Sequence, residues 1–234
     1  MPIDIRRRSE RFRTRLPWLD SSHCFSFGPW YDPGNTGHGL LVVSNDDVVH
    51  PTSGFDTHPH RDMEIVTWVL DGALEHRDTL GNSGAIYPGL AQRMSAGRGI
   101  WHSEKNLDPA RNVHFVQMWV LPDTEGIDPG YEQLDINPQL ARGGLVPVAS
   151  GKGLDAAIRL RQRHATLWAG RLRPGETAAV PEAQFAHVYV ASGAATLDGA
   201  GLLAAGDAAR LTTAGPLPLT AAEAGAEVLV WEMG

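Results

Sequence analysis

Two pairs of metal-ligating residue types, each with a single residue between its members, limit what this chain can fold into. The first is His58 and His60, in the run Gly54-Phe55-Asp56-Thr57-His58-Pro59-His60-Arg61-Asp62-Met63-Glu64. The second is His102 and Glu104, in Met94-Ser95-Ala96-Gly97-Arg98-Gly99-Ile100-Trp101-His102-Ser103-Glu104. Successive side chains of a β-strand point to opposite faces, so residues i and i+2 share one. On two strands of a barrel, all four side chains can project into one interior. Three imidazoles and a carboxylate make a cage for a divalent first-row metal, with room left for water, O2 or substrate. A lone His-x-His pair is often a surface or turn feature. Two such pairs, joined by alternating apolar strands and glycine turns, favour the cage.

The 234 residues would fit one large or two small domains, and a hydrophobic content of 42% is ample for a packed core. The 26 glycines and 16 prolines favour many short strands and turns over long helices. A net charge of −7 argues against a nucleic-acid surface, which needs clustered Lys and Arg. Arg6, Arg7, Arg8, Arg11, Arg13 and Arg15 crowd the start of the chain and read as a solvated arm or an edge strand. That segment lacks the apolar run of a signal peptide, and no window reaches the roughly 18 apolar residues of a membrane span. Cys24 is the single cysteine, which excludes an intramolecular disulfide and fits a reducing cytoplasm. It reads as a small core residue.

Leu40-Leu41-Val42-Val43, within Gly39 to Val49, predicts a buried strand. Glu64 to Leu70 predicts another, turned by Asp71-Gly72 into Ala73 to Asp78 as a hairpin. On that hairpin His76 and Asp78 fall on outer rows, away from the metal. Glu64 shares the parity of His58 and His60 if the strand stays regular. Val113 to Leu121 predicts the strand that closes the first barrel, with His114 and Gln117 on opposite faces, so that at most one looks inward. Asp123 to Gly153, where Gly and Pro are common, reads as the crossover between halves.

The second half repeats the first without its chemistry. Placing Asp71-Gly72-Ala73 on Ser192-Gly193-Ala194 needs no gap back to His58, and sets His58 on Ala179, His60 on Pro181 and Glu64 on Phe185. Gly89 to Ser95 falls on Gly206 to Thr212, with Arg93 on Arg210. No histidine follows His187, so nothing can replace His102. A repeat of about 120 residues that keeps apolar and glycine positions while losing ligands predicts a duplicated barrel with one site. The expected division is 1–135, with the arm and the metal site, and 136–234, without ligands.

The run from His58 to His76 and that from Met94 to Glu104 closely resemble the pirins, a branch of the cupin superfamily. Trp18-Leu19-Asp20-Ser21, Phe25-Ser26-Phe27-Gly28, Tyr31-Asp32-Pro33 and Gly130-Tyr131-Glu132-Gln133 are similar to pirin segments as well. The resemblance is dense over residues 16 to 135 and architectural beyond. It implies an all-β bicupin, two tandem β-barrels of the double-stranded β-helix or jelly-roll type, with metal on His58, His60, His102 and Glu104. The carboxylate ligand of pirins comes from the second motif, which leaves Glu64 a supporting or structural role. Iron is the metal the resemblance points to, although such a ligand set accepts Mn, Co, Ni, Cu or Zn too.

Quercetin 2,3-dioxygenase activity is reported for several pirins, and so is a regulatory role in which the metal protein acts through a protein partner. The first implies a flavonol and O2 as substrates, carbon monoxide as a product, and Glu104 as acceptor of the 3-hydroxyl proton. Both readings need the same ligands. The chain carries no nucleotide loop, Gly-x-Ser-x-Gly elbow or Cys-His pair, so hydrolysis and phosphoryl transfer have no support.

Overall fold

A computed structural model describes residues 3–234. In chain order the first strands are β1 (Ile3–Arg6), β2 (Phe12–Leu16), β3 (Leu19–His23), β4 (Leu41–Val49), β5 (Gly54–His60) and β6 (Glu64–Asp71). They are followed by β7 (Leu74–Asp78), β8 (Ser83–Ile86), β9 (Leu90–Ser95), β10 (Ile100–Lys105), β11 (Val113–Val120) and β12 (Gly130–Asp135). One turn of helix, α1 (Asn137–Leu140), leads into β13 (Val146–Ser150), β14 (Ile158–Arg159), β15 (Ala165–Leu172) and β16 (Thr177–Val180). The chain ends with β17 (Ala183–Leu197), β18 (Gly201–Ala204), β19 (Ala208–Ala214) and β20 (Leu217–Met233). The protein is thus almost entirely β, as its glycine and proline content predicts. Among the described residues no helix is long and apolar enough to cross a membrane.

The strands form three sheets. A seven-stranded sheet runs β12-β9-β6-β11-β4-β3-β2, and a four-stranded sheet runs β5-β10-β7-β8. The nine-stranded sheet runs β1-β19-β17-β20-β15-β13-β14, with β16 on β20 and β18 on β17. The arginine-rich start is therefore partly an edge strand, and Ile3–Arg6 pairs with β19 of the second half.

The seven-stranded sheet is covered on both faces, which explains why β6 and β11 are apolar almost throughout. On one face Val69, Val113 and Phe115 pack with Leu74 and Ile86 of the four-stranded sheet. On the other, Val66, Trp68, Val116 and Met118 pack against Leu167, Tyr189, Leu229 and Trp231 of the nine-stranded sheet. Each large side chain buried there contributes on the order of 2–3 kcal/mol. Polar clasps fix the register of the two halves: Trp68 Nε1 donates to Glu227 Oε1 at 2.8 Å, and the Tyr189 hydroxyl donates to Asp46.

The internal repeat reappears in the strand pairing. Val66 pairs with Arg93 and Ile65 with Met94; His187 pairs with Arg210 and Ala186 with Leu211. These are the same positions in the two halves. Gly72 and Gly193 correspond too, with φ of +78° and +69°, and a Cβ would stand 2.8 Å from the Asn112 carbonyl oxygen and 2.1 Å from that of Gly225. Only glycine fits at either corner. The second half's own core consists of Val, Leu and Ala, including Val180, Val188, Val190, Leu197 and Leu219. Apolar packing occupies that interior.

One local expectation is corrected. Strands β6 and β7 do not pair; they lie in different sheets, and Asp71-Gly72 carries the chain around the corner between them. A two-residue type I′ turn needs positive φ at both central residues, and of this pair only Gly72 has it. The hairpin is formed instead by β7 and β8, through Leu74↔Ile86 to Arg77↔Ser83.

Candidate metal centre

Strands β5 and β10 run antiparallel with His58 directly opposite His102 and His60 opposite Ile100. The i, i+2 spacing in β5 puts His60 on the same face as His58, so three imidazoles meet across one strand pair. Their ring centroids are 4.5 Å (His58–His102), 4.8 Å (His58–His60) and 4.9 Å (His60–His102) apart. One nitrogen from each of the three lies within 4.8 Å of the others.

The protonation pattern suits a ligand set. His58 Nδ1 donates to the Asp56 carbonyl oxygen at 2.7 Å, which leaves its Nε2 as a lone pair. The Nε2 atoms of His60 and His102 are buried and have no hydrogen-bond partner among the described residues. Orphaned buried nitrogens carry a desolvation cost that a bound cation would offset. Burial, and then the proximity of His102 and His58, lowers the His60 pKa to about 4. Burial, and then His58 and His76, lowers that of His102 to about 3. Both rings are neutral near pH 7, the form that binds metal.

Glu104 lies on the inner face of β10 but beyond a bulge that separates it in register from His102. It is buried, and its contacts are donors: Gln117 Nε2 at 3.0 and 2.8 Å from its two oxygens, and the Thr67 hydroxyl at 3.4 Å. Gln117 Oε1 accepts from Trp119 Nε1 at 3.1 Å, which fixes the orientation of the amide. The structure thus gathers His58, His60 and His102 tightly, with Glu104 beside them but outside the 4.8 Å cluster. Close backbone approach makes this stretch possible. A Cβ on Gly54, whose φ is +150°, would stand 2.2 Å from the Glu104 carbonyl oxygen.

Gln117 is the inward residue of β11. His114 faces the second half and bonds Asp46 at 2.8 Å. Glu64 does not share the histidine face. The chain leaves the four-stranded sheet at Arg61–Met63, where Asp62 has φ +47°, so parity does not carry through. Glu64 accepts from the Arg161 backbone N–H at 3.0 Å and lies 3.8 Å from Arg93. Its role is to join the two halves.

His76 and Asp78 overturn the outer-row expectation. Because β7 pairs with β10 rather than with β6, their side chains point inward, and both are fully buried. Asp78 Oδ2 accepts from His76 Nε2 at 3.1 Å, and His76 Nδ1 lies 3.4 Å from His102 Nδ1. Burial opposes the charge on Asp78, but hydrogen bonds from Asn82 and His76 outweigh it and hold the carboxyl below its usual range. A carboxylate only accepts, so with neutral rings His76 carries its proton on Nε2 and accepts at Nδ1. His102 then donates from Nδ1, and its Nε2 lone pair faces His58 and His60. The clue in the sequence is the alternation of His76 and Asp78 around Arg77.

Three clustered imidazoles, two of them with buried and unpartnered Nε2 atoms, on an all-β scaffold and backed by the buried His76–Asp78 pair, define a candidate metal-binding β-protein. Residues 5–120 match the pirin family, and residues 147–233 match the quercetinase C-terminal cupin domain. A Mycobacterium tuberculosis relative with a provisional quercetin 2,3-dioxygenase name is 59% identical over 99% of this chain and 95% of its own length. A quercetin 2,3-dioxygenase of Escherichia coli K12 is 43% identical over 68% of both chains. The structure of the bacterial pirin YhhW from Escherichia coli in complex with nickel(II) superposes with a TM-score of 0.90 at 35% identity, covering 99% of each chain. The chain belongs to the pirin family.

Proposed function

We propose that this pirin is a metal-dependent dioxygenase of quercetin 2,3-dioxygenase type, which opens a flavonol with O2 and releases carbon monoxide in a reducing, cytoplasmic setting. The observation that carries this reading is the convergence of His58, His60 and His102 with the His60 and His102 Nε2 atoms buried and unpartnered. In this reading those three side chains and Glu104 hold one divalent first-row ion, iron in the first place. The scaffold is two tandem barrels, 1–135 and 136–234, with the ion in the first alone.

A bound ion supplies Lewis acidity and open coordination positions. The protein's own residues supply the rest. Glu104, held by Gln117 and Thr67, accepts the proton of the flavonol 3-hydroxyl. Trp119, edge-on to His60 with centroids 4.9 Å apart, and Phe27 against Trp119 offer an aromatic wall for a planar substrate. His58 and His60 are only half-buried, so the imidazoles can be reached from solvent.

The test is anaerobic metal analysis followed by oxygen uptake with quercetin in excess. Stoichiometric metal with oxygen consumption and carbon monoxide release supports the dioxygenase. Stoichiometric metal with no turnover on any first-row ion would transfer the reading to a regulatory protein acting through a partner.

A further inference from the structure

The segment Ile158-Arg159-Leu160-Arg161-Gln162-Arg163 alternates strictly, with Ile158, Leu160 and Gln162 buried and the three arginines exposed. Only Ile158–Arg159 is strand, with a bend at Arg161 and a turn at Arg163, but the burial pattern still puts the three arginines together on the solvent face. That face lines a cleft of about 400 Å³ where residues 123–132 of the first half meet residues 151–163 of the second. Arg93 reaches the same cleft from β9.

The charges there are unbalanced. Two carboxylates line the cleft; a third, Glu64, is buried behind Arg93 at 3.8 Å, and all three are engaged. Glu132 accepts from Arg93 at 2.9 Å and from the Arg159 backbone N–H at 2.7 Å. Asp123 accepts from the Arg163 backbone N–H at 2.7 Å. Among the described residues, no carboxylate lies within 4.0 Å of the guanidinium of Arg159 or Arg161. Elsewhere on the surface Arg6, Arg7, Arg13, Arg77, Arg98 and Arg111 each have such a partner. Arg93 is already fully engaged: its Nε donates to the Arg159 carbonyl oxygen at 3.0 Å, Nη1 to Ser95 Oγ at 2.7 Å, and Nη2 pairs with Glu132 at 2.9 Å. Arg159 and Arg161 are thus two like charges without carboxylate partners in one concave site, an arrangement that an anion between them relieves.

We propose that this cleft binds a small molecule carrying two or more oxyanion groups, held by forked contacts from Arg159 and Arg161. The guanidinium fork matches both carboxylate and phosphate, and the volume lies in the range of small-ligand sites. The site is separate from the histidine cluster, so its occupancy does not depend on the metal reading.

The test is calorimetric titration of the intact protein with inorganic phosphate and with succinate, at fixed ionic strength. The expected result is submillimolar binding of at least one probe, weakened at least tenfold in R159A/R161A and unchanged in R77A, whose arginine pairs with Glu75 elsewhere. Tighter binding of phosphate assigns the ligand to phosphorylated molecules, and tighter binding of succinate to polycarboxylates. No measurable binding of either probe, equal affinity in R159A/R161A, or equal weakening in R77A would overturn the proposal. All three arginines are exposed, so the variants should fold, and thermal melting checks that they do.

Discussion

His102 and His76 meet through their Nδ1 atoms at 3.4 Å, and this contact decides which His102 nitrogen is left to face the other imidazoles. The partner of a ligating histidine's second nitrogen typically controls affinity by 10–100-fold. His76→Ala and Asp78→Asn are therefore expected to weaken metal binding by roughly that factor. His76→Gln, whose amide oxygen can still accept from Nδ1, should recover part of it. Competition with a chromophoric chelator measures this without any assay of turnover. Equal affinity in wild type and His76→Ala would leave the contact without a role.

Removing His60 should be more severe. His60→Ala leaves two of the three clustered imidazoles, and metal content after dialysis is expected to fall close to zero. His50→Ala is the matched control, because the His50 imidazole bonds the Pro17 carbonyl oxygen at 3.0 Å and lies outside the cluster. Full retention of metal by His60→Ala would place the ion elsewhere.

Glu104→Gln separates coordination from proton transfer. The amide keeps an oxygen for the metal but cannot take up the flavonol hydroxyl proton near neutral pH. General-base assistance is typically worth about 10²–10⁴-fold, so oxygen uptake per bound ion should drop by that order. Unchanged uptake per ion would assign the proton to another acceptor.

Asp47 should make stability depend on pH. Its side chain is buried inside the first half with Oδ1 unpartnered. Burial, offset in part by the Ser21 hydroxyl and reinforced by Asp46 and Glu104, raises its pKa to about 7. The folded state thus holds a proton that the unfolded chain releases near pH 4. The associated stability is present below the unfolded pKa and is lost as pH rises from about 4 to about 7. Asp47→Asn removes that loss, and denaturant titration at pH 8 should find the variant more stable by roughly 2–4 kcal/mol. A variant less stable than wild type at pH 8 would contradict this.

Parity within a single strand is legible from sequence, and for that reason His58 and His60 share a face, while His102 meets them because β10 pairs with β5. Gln117 follows the same rule on β11. Glu64 and His76 do not, because the face each presents depends on which sheet its strand joins. That is decided by corners at Asp62 and Gly72, whose effect no local spacing reveals. The repeat is legible for a related reason: Gly72 and Gly193 must both be glycine, each to clear a carbonyl from a distant strand. Glu104 is intermediate. Its inward direction follows from its place two residues after His102, but the bulge that sets it apart from the imidazoles is a property of the paired strands.

The pairing of Ile3 with Leu211 bears on how the molecule assembles. Strand β1 is synthesised long before β19, so its backbone donors and acceptors wait for a partner through most of translation. Closing so long a loop is entropically slow, and the edge of the nine-stranded sheet should be among the last parts to form. During that wait Arg6, Arg7 and Arg8 keep the segment charged, a feature that discourages an unpaired strand from joining a neighbouring chain.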